Sequence, residues 1–140
     1  MFSRDSHDDV ATELRRAQDS ERAVNLQGWH IPHGVALAGA DLTSARLQRT
    51  TLTGANLEGA NLEGANLWGA DLTGANLRYA DLTGANLGYV NLTGADLTGA
   101  NLTNSNCEKT NLRYADLTDA NLTGVDLDDA NLIGAIVPAN

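Results

Sequence analysis

The stretch GANLEGANLEGANLWGADL, Gly54–Leu72, repeats nearly the same five residues, and this repeat decides the fold. A leucine recurs at every fifth position over Leu37–Leu132, interrupted only by Cys107, and Val137 takes the next place. A small residue, mostly Ala, stands two places before each leucine, with Asn or Asp between them in most repeats. The two places after the leucine are commonly Thr-Gly. Because such self-similarity is typical of repeat architectures, we expect the five-residue unit to be the unit of the fold.

A five-residue period fits neither regular secondary structure. A helix repeats at about 3.6 residues and would spread these leucines around its circumference. A flat strand repeats at about 2 residues, and an odd spacing would send successive leucines to opposite faces. The pattern instead predicts one short extended side and one corner in every repeat, with the leucine and the small residue pointing inward. Glycine in the last place supports a tight turn, because it adopts positive φ without steric cost. Four such sides close a square.

These repeats resemble the pentapeptide-repeat family, whose consensus is A(D/N)LxG. The resemblance covers about Val24–Val137 and rests on some twenty consecutive matches, of which Ala55–Gly59 is typical. It implies an all-β solenoid, a right-handed quadrilateral β-helix in which four repeats, or twenty residues, make one coil. We expect a uniformly packed leucine column whose core includes these residues: Leu57, Leu62, Leu67, Leu72 and Cys107.

The repeats are predicted to begin at Val24, before the long regular run. Val24–Gly28 fits the motif and Trp29–His33 fits it loosely, but both are one residue out of phase with the rest. A single extra residue, most simply Gly34, restores the register. This gives 23 repeats in residues 24–140, or just under six coils. At a strand spacing of about 4.8 Å the column would be roughly 27 Å tall.

Residues 1–23 lack the repeat and are predicted to cap the column. Ser6 fits a helix N-cap, with acids following in the first turn. The apolar residues that follow form a narrow stripe: Val10, Ala11, Leu14 and Ala17. We therefore expect a helix over residues 7–22 that covers the N-terminal coil, because the ends of stacked repeats need protection. A helix that binds a partner is the alternative interpretation.

The C-terminal end of the column carries unusual apolar residues. Ile133 and Ile136 occupy outward places that are polar in most repeats, and Val137 takes the last centre. They are expected either to be covered by the last residues of the chain or to meet a second molecule end to end. Since the family resemblance favours dimers joined at their C-terminal ends, a homodimer through this end is the preferred interpretation.

Composition bounds the class of protein. The chain has 140 residues, is 42% hydrophobic but only 4% aromatic, and has a formal net charge of −9 and one cysteine. A single thiol forms no internal disulfide, and no apolar run approaches the ~18 residues that span a bilayer. The first residues lack the apolar stretch of a signal peptide. We expect a cytoplasmic protein without membrane contacts, and its acidity argues against direct nucleic-acid binding.

The sequence offers no recognisable catalytic constellation. His30 and His33 could share a metal, but no Cys or acid lies close by in sequence to complete the site, so a surface pair is preferred. Cys107 occupies a centre place and is expected to point inward as an inert thiol. The outward Asn and Asp columns supply about one carboxyl or amide per corner, whereas Ca²⁺ needs several oxygens. We therefore expect no enzyme activity, no metal and no cofactor.

One face of the predicted column differs from the others, and we name it the 47–127 face. Its centre residues are Leu47, Leu67, Leu87, Cys107 and Leu127. Its outward places carry a candidate protein-binding patch: Arg49, Trp68, Tyr89 and Lys109. Aromatic residues beside cations are enriched where proteins meet. The alternative is that outward places tolerate any residue, which Tyr79 and Tyr114 on other faces favour.

Two functions follow from these features. The preferred one is a non-enzymatic module that offers flat faces to an unknown protein partner. The alternative comes from the quinolone-resistance-type branch of the resembling family, thought to imitate duplex DNA and bind DNA gyrase. From Val24 onward, twelve acids and five bases leave a net charge of −7, whereas roughly 27 Å of B-DNA carries about 16 charges. This low charge density and the absence of Phe at the centres disfavour DNA mimicry.

Packing is predicted to be poorest over residues 104–109. There the small residue is Ser105, the centre is Cys107, and neither adjacent turn contains glycine.

Overall fold

The computed structural model describes residues 7–139, in which the chain winds into a four-sided column. Single-residue parallel β-bridges link nearly every residue that precedes a centre to its equivalent one coil on, as in Asn56↔Asn76 and Asn76↔Asp96. The bridges recur every five residues along the chain, so one turn of twenty residues has four sides. Among these described residues, no helix has the length and apolar character needed to cross a membrane.

Backbone hydrogen bonds join successive coils on each side of the column. The Leu57 amide donates to the Asn76 carbonyl at 2.7 Å, and the Gly59 amide donates to the Arg78 carbonyl at 2.8 Å. The same pair of bonds repeats from side to side. Because buried backbone groups without partners are costly, this ladder is what allows an almost strandless chain to enclose an apolar interior.

The centre residues fill that interior. Every centre leucine over Leu42–Leu117 is at most 1% exposed, and Cys107 is 2% exposed. Thr50 and Thr110 replace the usual inward Ala and are fully buried. The Thr110 hydroxyl donates to the Leu87 carbonyl at 2.7 Å, and Thr50 makes the equivalent bond. These two polar substitutions therefore leave no unpaired hydroxyl in the core.

The corners before the coil of Leu127 share one turn geometry whether or not they contain glycine. The Ala60 amide donates to the Leu57 carbonyl at 3.0 Å and closes a four-residue turn. The third residue of these turns has positive φ, for example +67° at Gly59 and +57° at Arg49, except for Asp129 in the turn from Leu127 to Ala130. Positive φ at this place alone is the signature of a type II turn. Side chains in these corners therefore sit in a conformation that favours glycine.

The Asn or Asp before each centre stabilises the following corner. The Asp41 carboxylate oxygen Oδ1 accepts hydrogen bonds from the Thr43 hydroxyl at 2.7 Å and the Thr43 amide at 3.1 Å. These two bonds lower the pKa of the Asp41 carboxyl below its usual range. The same side-chain-to-amide bond recurs along the column, as at Asn56 and Asn86. The outward Asn and Asp columns are thus engaged in local Asx turns.

The register shift lies just before Gly34 rather than at it. Bridges are 21 residues apart at His30↔Thr51 but 20 apart at Ala36↔Asn56. Gly34 itself has φ +76° and donates its amide to the next coil, as a regular corner glycine does. The extra residue is therefore accommodated around Pro32. In a regular repeat, the amide two residues after the Asn or Asp donates to that side chain. Here His30 takes the place of Asn or Asp and has no side-chain oxygen to accept such a bond. Pro32, which has no amide hydrogen, is therefore tolerated.

The N-terminal helix, α1, spans His7–Asp19 and is shorter than the predicted 7–22. It ends because Glu21 adopts φ +52° and the Arg22 amide bonds to the Ala17 carbonyl at 3.0 Å, a left-handed C-terminal closure. Val10 and Ala17 are buried in the same core cluster as the first coil, with Leu14 packed beside them. Ala11, predicted to share this stripe, is exposed because it lies on the other side of the helix. The proposed N-cap Ser6 lies outside the described residues.

One carboxylate ties α1 to the column. Glu13 accepts hydrogen bonds from the Arg22 guanidinium at 2.7 Å and from the Asn25 amide at 3.0 Å. Asn25 opens the bridging pattern of the first coil, so Glu13 links the helix to the backbone of the repeat region. The Arg22 hydrogen bond is the main reason why the pKa of the Glu13 carboxyl is lowered.

The ladder is interrupted near the C-terminal end of the 47–127 face. Among the described residues no bridge joins Asn106 to Asp126. The Lys109 amide instead donates to the Asp129 side chain at 3.3 Å. Cys107 remains buried, so the opening lies on the C-terminal side of residues 104–109, the segment predicted to pack worst.

Substitutions at corner positions should show how much positive φ costs in stability, separately from any effect on core packing. Asp119 has φ +58°, so Asp119→Gly is expected to stabilise the protein by about 1 kcal/mol, raising Tm by roughly 3 °C. Gly59 has φ +67° with open space around it, so Gly59→Ala should destabilise by a similar amount. Thermal unfolding of both variants measures this. Equal melting temperatures in both would contradict the turn assignment.

Acid should loosen α1 before the column. Because the folded-state pKa of Glu13 is lowered, its contribution is present above the unfolded-state pKa of about 4.3 and is lost as pH falls through the folded value. Glu13→Gln should therefore speed amide exchange of α1 at pH 7, and the difference from wild type should shrink below about pH 4.3. Glu63→Gln, on the column surface, is the matched control and should leave exchange in α1 unchanged.

Candidate interaction face

Three side chains on the 47–127 face form one continuous stack. The Arg49 guanidinium carbon lies 5.2 Å from the centroid of the Trp68 ring. The Trp68 and Tyr89 ring centroids are 5.6 Å apart, with the ring planes tilted by 53°. Trp68 is 36% exposed and Tyr89 is 48% exposed. Both distances lie in the range of attractive cation–π and aromatic contacts, so the stack is ordered yet presents ring surface to solvent.

Gly88 makes room for this stack. Arg49 and Tyr89 occupy corner places, Trp68 occupies the place before a corner, and glycines fill the alternate places at Gly69 and Gly88. Gly88 lies outside the left-handed region, so its backbone does not require glycine. A Cβ at Gly88 would lie 3.1 Å from the Trp68 ring atom Cδ1. Gly88 is therefore explained by the space that the indole needs.

Three of the four patch residues are held in unfavourable backbone conformations. Arg49, Tyr89 and Lys109 have φ of +57°, +57° and +51°. Bulky side chains in the left-handed region cost about 1 kcal/mol or more each relative to glycine. Strain of this kind concentrates at functional sites. Two of the five bulky corner residues, Tyr79 and Tyr114, lie on other faces, and the remaining three lie on this one.

The two ends of the 47–127 face carry opposite charges. Arg46 and Arg49 flank the Leu47 centre, and the Arg46 guanidinium donates to the Gln27 side chain at 2.9 Å. The other end, around Leu127, carries a group of three acids: Asp126, Asp128 and Asp129. Glu108 and Lys109 offset each other between the aromatic pair and these acids. This separation of charge is visible in the sequence. It appears when the residue before each centre and the two residues after it are compared from coil to coil along the face.

Arg-Tyr pairs recur on two further faces. The Arg78 guanidinium carbon lies 5.5 Å from the Tyr79 ring centroid, and that of Arg113 lies 5.7 Å from the Tyr114 centroid. Arg78 also contacts the Asp96 carboxylate at 3.4 Å. Each tyrosine ring covers a corner glycine one coil on. These pairs stand singly, whereas Arg49, Trp68 and Tyr89 form a continuous series.

The C-terminal end of the column exposes apolar surface. Ile133, Ile136 and Val137 are 61%, 56% and 51% exposed. The last coil beneath them is only partly buried, at these residues: Leu122, Val125, Leu127, Ala130 and Leu132. The described residues up to 139 do not cover this end, in contrast to the helix-covered N-terminal coil.

The other chemical candidates have local roles. The His30 ring nitrogen Nδ1 lies 3.2 Å from the Thr51 hydroxyl, and the His33 ring covers Gly54. Burial raises the pKa of the Cys107 thiol, which disfavours a reactive thiolate. Within residues 7–139, no group of three His, Cys, Asp or Glu side chains is arranged to hold a metal.

Filling the space at Gly88 should displace the indole. Gly88→Ala is expected to move the Trp68 ring outward, because the new methyl group would lie 3.1 Å from both Trp68 Cδ1 and Asn86 Oδ1. We expect a red shift of Trp68 emission, measured with Trp29→Phe to remove the second indole, and a stability loss of about 1 kcal/mol. Thr83→Ala is the control. Unchanged emission in Gly88→Ala would show that the indole does not rest on this glycine.

Known proteins show the same architecture. The sequence profile described as pentapeptide repeats matches the chain in eight copies. The matches cover these ranges: 33–69, 52–88, 69–104, 91–129 and 100–137. No curated protein sequence matches the chain.

Two solved structures of pentapeptide repeat proteins are similar. Rfr23 from the cyanobacterium Cyanothece 51142 is 28% identical with a TM-score of 0.74, covering 91% of this chain and 98% of its own. A protein from the Arabidopsis thaliana thylakoid lumen is 36% identical with a TM-score of 0.56, covering 67% of this chain and 68% of its own. These neighbours imply a right-handed quadrilateral β-helix, in agreement with the four-sided bridging pattern. The chain belongs to the pentapeptide repeat family.

Proposed function

We propose that this chain is a non-catalytic interaction module that binds a protein partner through the 47–127 face. The observation that carries the proposal is the continuous stack of Arg49, Trp68 and Tyr89, with Lys109 in the next corner. Tyr, Trp and Arg are the residues that most often dominate binding energy at protein interfaces.

The architecture suits such a role. The rings are already ordered by contacts within the stack, so little side-chain freedom remains to be lost on binding. The coils behind them are fixed by the inter-coil ladder, so the partner meets a rigid surface. The patch is small, which favours a modest affinity governed by the two rings.

Self-association through the C-terminal end is a second proposed contact. Ile133, Ile136 and Val137 expose apolar surface at an end where the last coil is only partly buried. Two such ends meeting would remove this surface from water, and an end-to-end homodimer would result. The exposed backbone of the last coil favours the same contact, because unpaired ladder edges invite pairing.

Imitation of duplex DNA gains no support from this face. A DNA mimic requires negative charge along its length, since duplex DNA carries about one charge per 1.7 Å. The 47–127 face instead begins with Arg46 and Arg49 and has rings at its middle. A gyrase partner is therefore not proposed for this surface.

Removing the two rings should abolish capture of the partner. Immobilised wild-type protein is compared with the double variant Trp68→Ala/Tyr89→Ala in a pull-down from a cell extract, with bound proteins identified by mass spectrometry. We expect any partner of this face to be depleted about tenfold or more in the variant, because central aromatic residues carry most of the interface energy.

The control removes two exposed tyrosines elsewhere. Tyr79→Ala/Tyr114→Ala deletes the same kind of side chain from other faces and should retain the partner. Equal capture by wild type and the Trp68/Tyr89 variant would retire the proposed patch. Matching melting curves of the two variants would show that the comparison reports binding rather than folding.

A further inference from the structure

The 47–127 face carries opposite charges at equal distances on either side of its middle. Arg46 and Arg49 lie at the coil of Leu47, and the three acids lie at the coil of Leu127. The coil of Leu87 lies midway between these two coils, two coils from each, and the uncharged coil of Leu26 continues the same side of the column beyond Leu47. Gly88 and Tyr89 occupy this midpoint, where the face carries no charge.

We propose that the 47–127 face binds a second copy of itself, with the two columns antiparallel. The twofold axis runs across the face along the strand direction at the coil of Leu87. This inference rests on the proposed function and names the partner of the same patch. Such an interface is isologous, so each contact between two different positions occurs twice.

The rotation dictates which positions meet. It preserves the place of a residue across the face and reverses the order of the coils. The place before the centre at Leu47 therefore meets the same place at Leu127, which sets Arg46 opposite Asp126. The corner places at these two coils also meet, which brings Arg49 towards Asp129, whose corner lacks the positive φ of Arg49 and whose side chain already accepts a bond from the Lys109 amide. Each copy thus brings two arginines to two aspartates of the other, and the complementarity fixes the antiparallel direction.

The arginines are available for these pairings. Arg46 has a neutral partner in the Gln27 side chain, and Arg49 lies against the Trp68 ring. Salt bridges to carboxylates form at Arg22 and Arg78 instead. A parallel arrangement would bring arginine to arginine and aspartate to aspartate, where like charges oppose binding.

The middle of the face also fits the rotation. Trp68 meets the coil of Glu108 and Lys109, so its indole N–H can donate to the carboxylate while the ammonium approaches the ring. Gly88 itself is buried beneath the Trp68 indole, so the second copy meets ring surface at the middle of the face. The two Tyr89 rings meet at the axis.

The interface is small, and the association is weak. Five coils at about 4.8 Å spacing extend roughly 20 Å, so each copy buries on the order of 400 Å². This is about half of the ~800 Å² per partner of a standard interface. The net charge of −9 on each copy also opposes association, although screening beyond about 8 Å at physiological salt leaves the contacting pairs to dominate. We expect dissociation constants between about 10 μM and 1 mM.

Charge reversal tests the proposal through a heterodimer. All variants carry Ile133→Ser/Ile136→Ser, which removes the proposed C-terminal contact, and in this background sedimentation equilibrium up to about 1 mM is expected to show a monomer–dimer equilibrium. Arg49→Glu alone and Asp129→Arg alone should each weaken self-association about tenfold or more, because both symmetric pairs become repulsive. A 1:1 mixture of the two variants should dimerise again, since the glutamate introduced in one variant then faces the arginine introduced in the other, and the second pair remains native. Arg46→Glu with Asp126→Arg repeats the test at the second pair, in case one corner variant folds poorly.

Matched measurements separate the possible outcomes. Arg113→Glu makes the same charge change on another face and should dimerise as wild type does. Small-angle scattering should show a dimer barely longer than one column, whereas end-to-end contact would nearly double the length. A monomer at 1 mM, or a dimer unaffected by both reversals, would overturn the antiparallel pairing. Either result leaves the proposed protein-binding function standing if the ring variant still loses a partner in the pull-down.

Discussion

The corner at every fifth residue is the constraint on which the rest of the structure depends. A four-residue turn with positive φ at its third place redirects the chain, and the Asx bond from the preceding Asn or Asp holds its amide. Only with this turn do the leucine and the small residue both point inward from a side of three residues. The core, the inter-coil ladder and the flat faces all follow from the repetition of one local geometry.

This dependence explains why the outer surface can vary while the fold stays constant. Stability in stacked repeats comes from each unit and its neighbours, so a change in one outward place affects one corner and little else. Thr-Gly satisfies the corner at the lowest cost, and most repeats use it or a close relative. A bulky side chain in a left-handed corner adds nothing to the core, so its benefit has to come from the surface. Arg49, Tyr89 and Lys109 meet that description on one face.

The sequence predicted the repeating side, the inward leucines and the family because these are encoded within five residues and confirmed at each repetition. It misplaced the register shift, since only the hydrogen bonds and bridges between coils show that Gly34 is a regular corner and that the extra residue precedes it. It also extended the helix past Asp19. The helix ends with a left-handed residue at Glu21, and no glycine stands there to indicate the end in the sequence. For the aromatic stack, the sequence predicted only that Trp68 and Tyr89 lie near each other on one face. The contact between Trp68 and Arg49, and the space that Gly88 leaves for the indole, depend on the directions in which side chains point between coils. The five-residue period does not specify these directions.

A square column also gives the surface an order that a globular fold lacks. Outward residues twenty positions apart lie in one line, so a face carries a readable series of charges and rings along its length. On the 47–127 face this series runs from two arginines through Trp68 and Tyr89 to three aspartates. The charges in the places after the centres could be exchanged for Thr or Gly without loss to the corner geometry. Their segregation to opposite ends therefore reflects what the face meets rather than what the fold needs, and a surface whose ends are complementary to each other is suited to meet its own inverted copy.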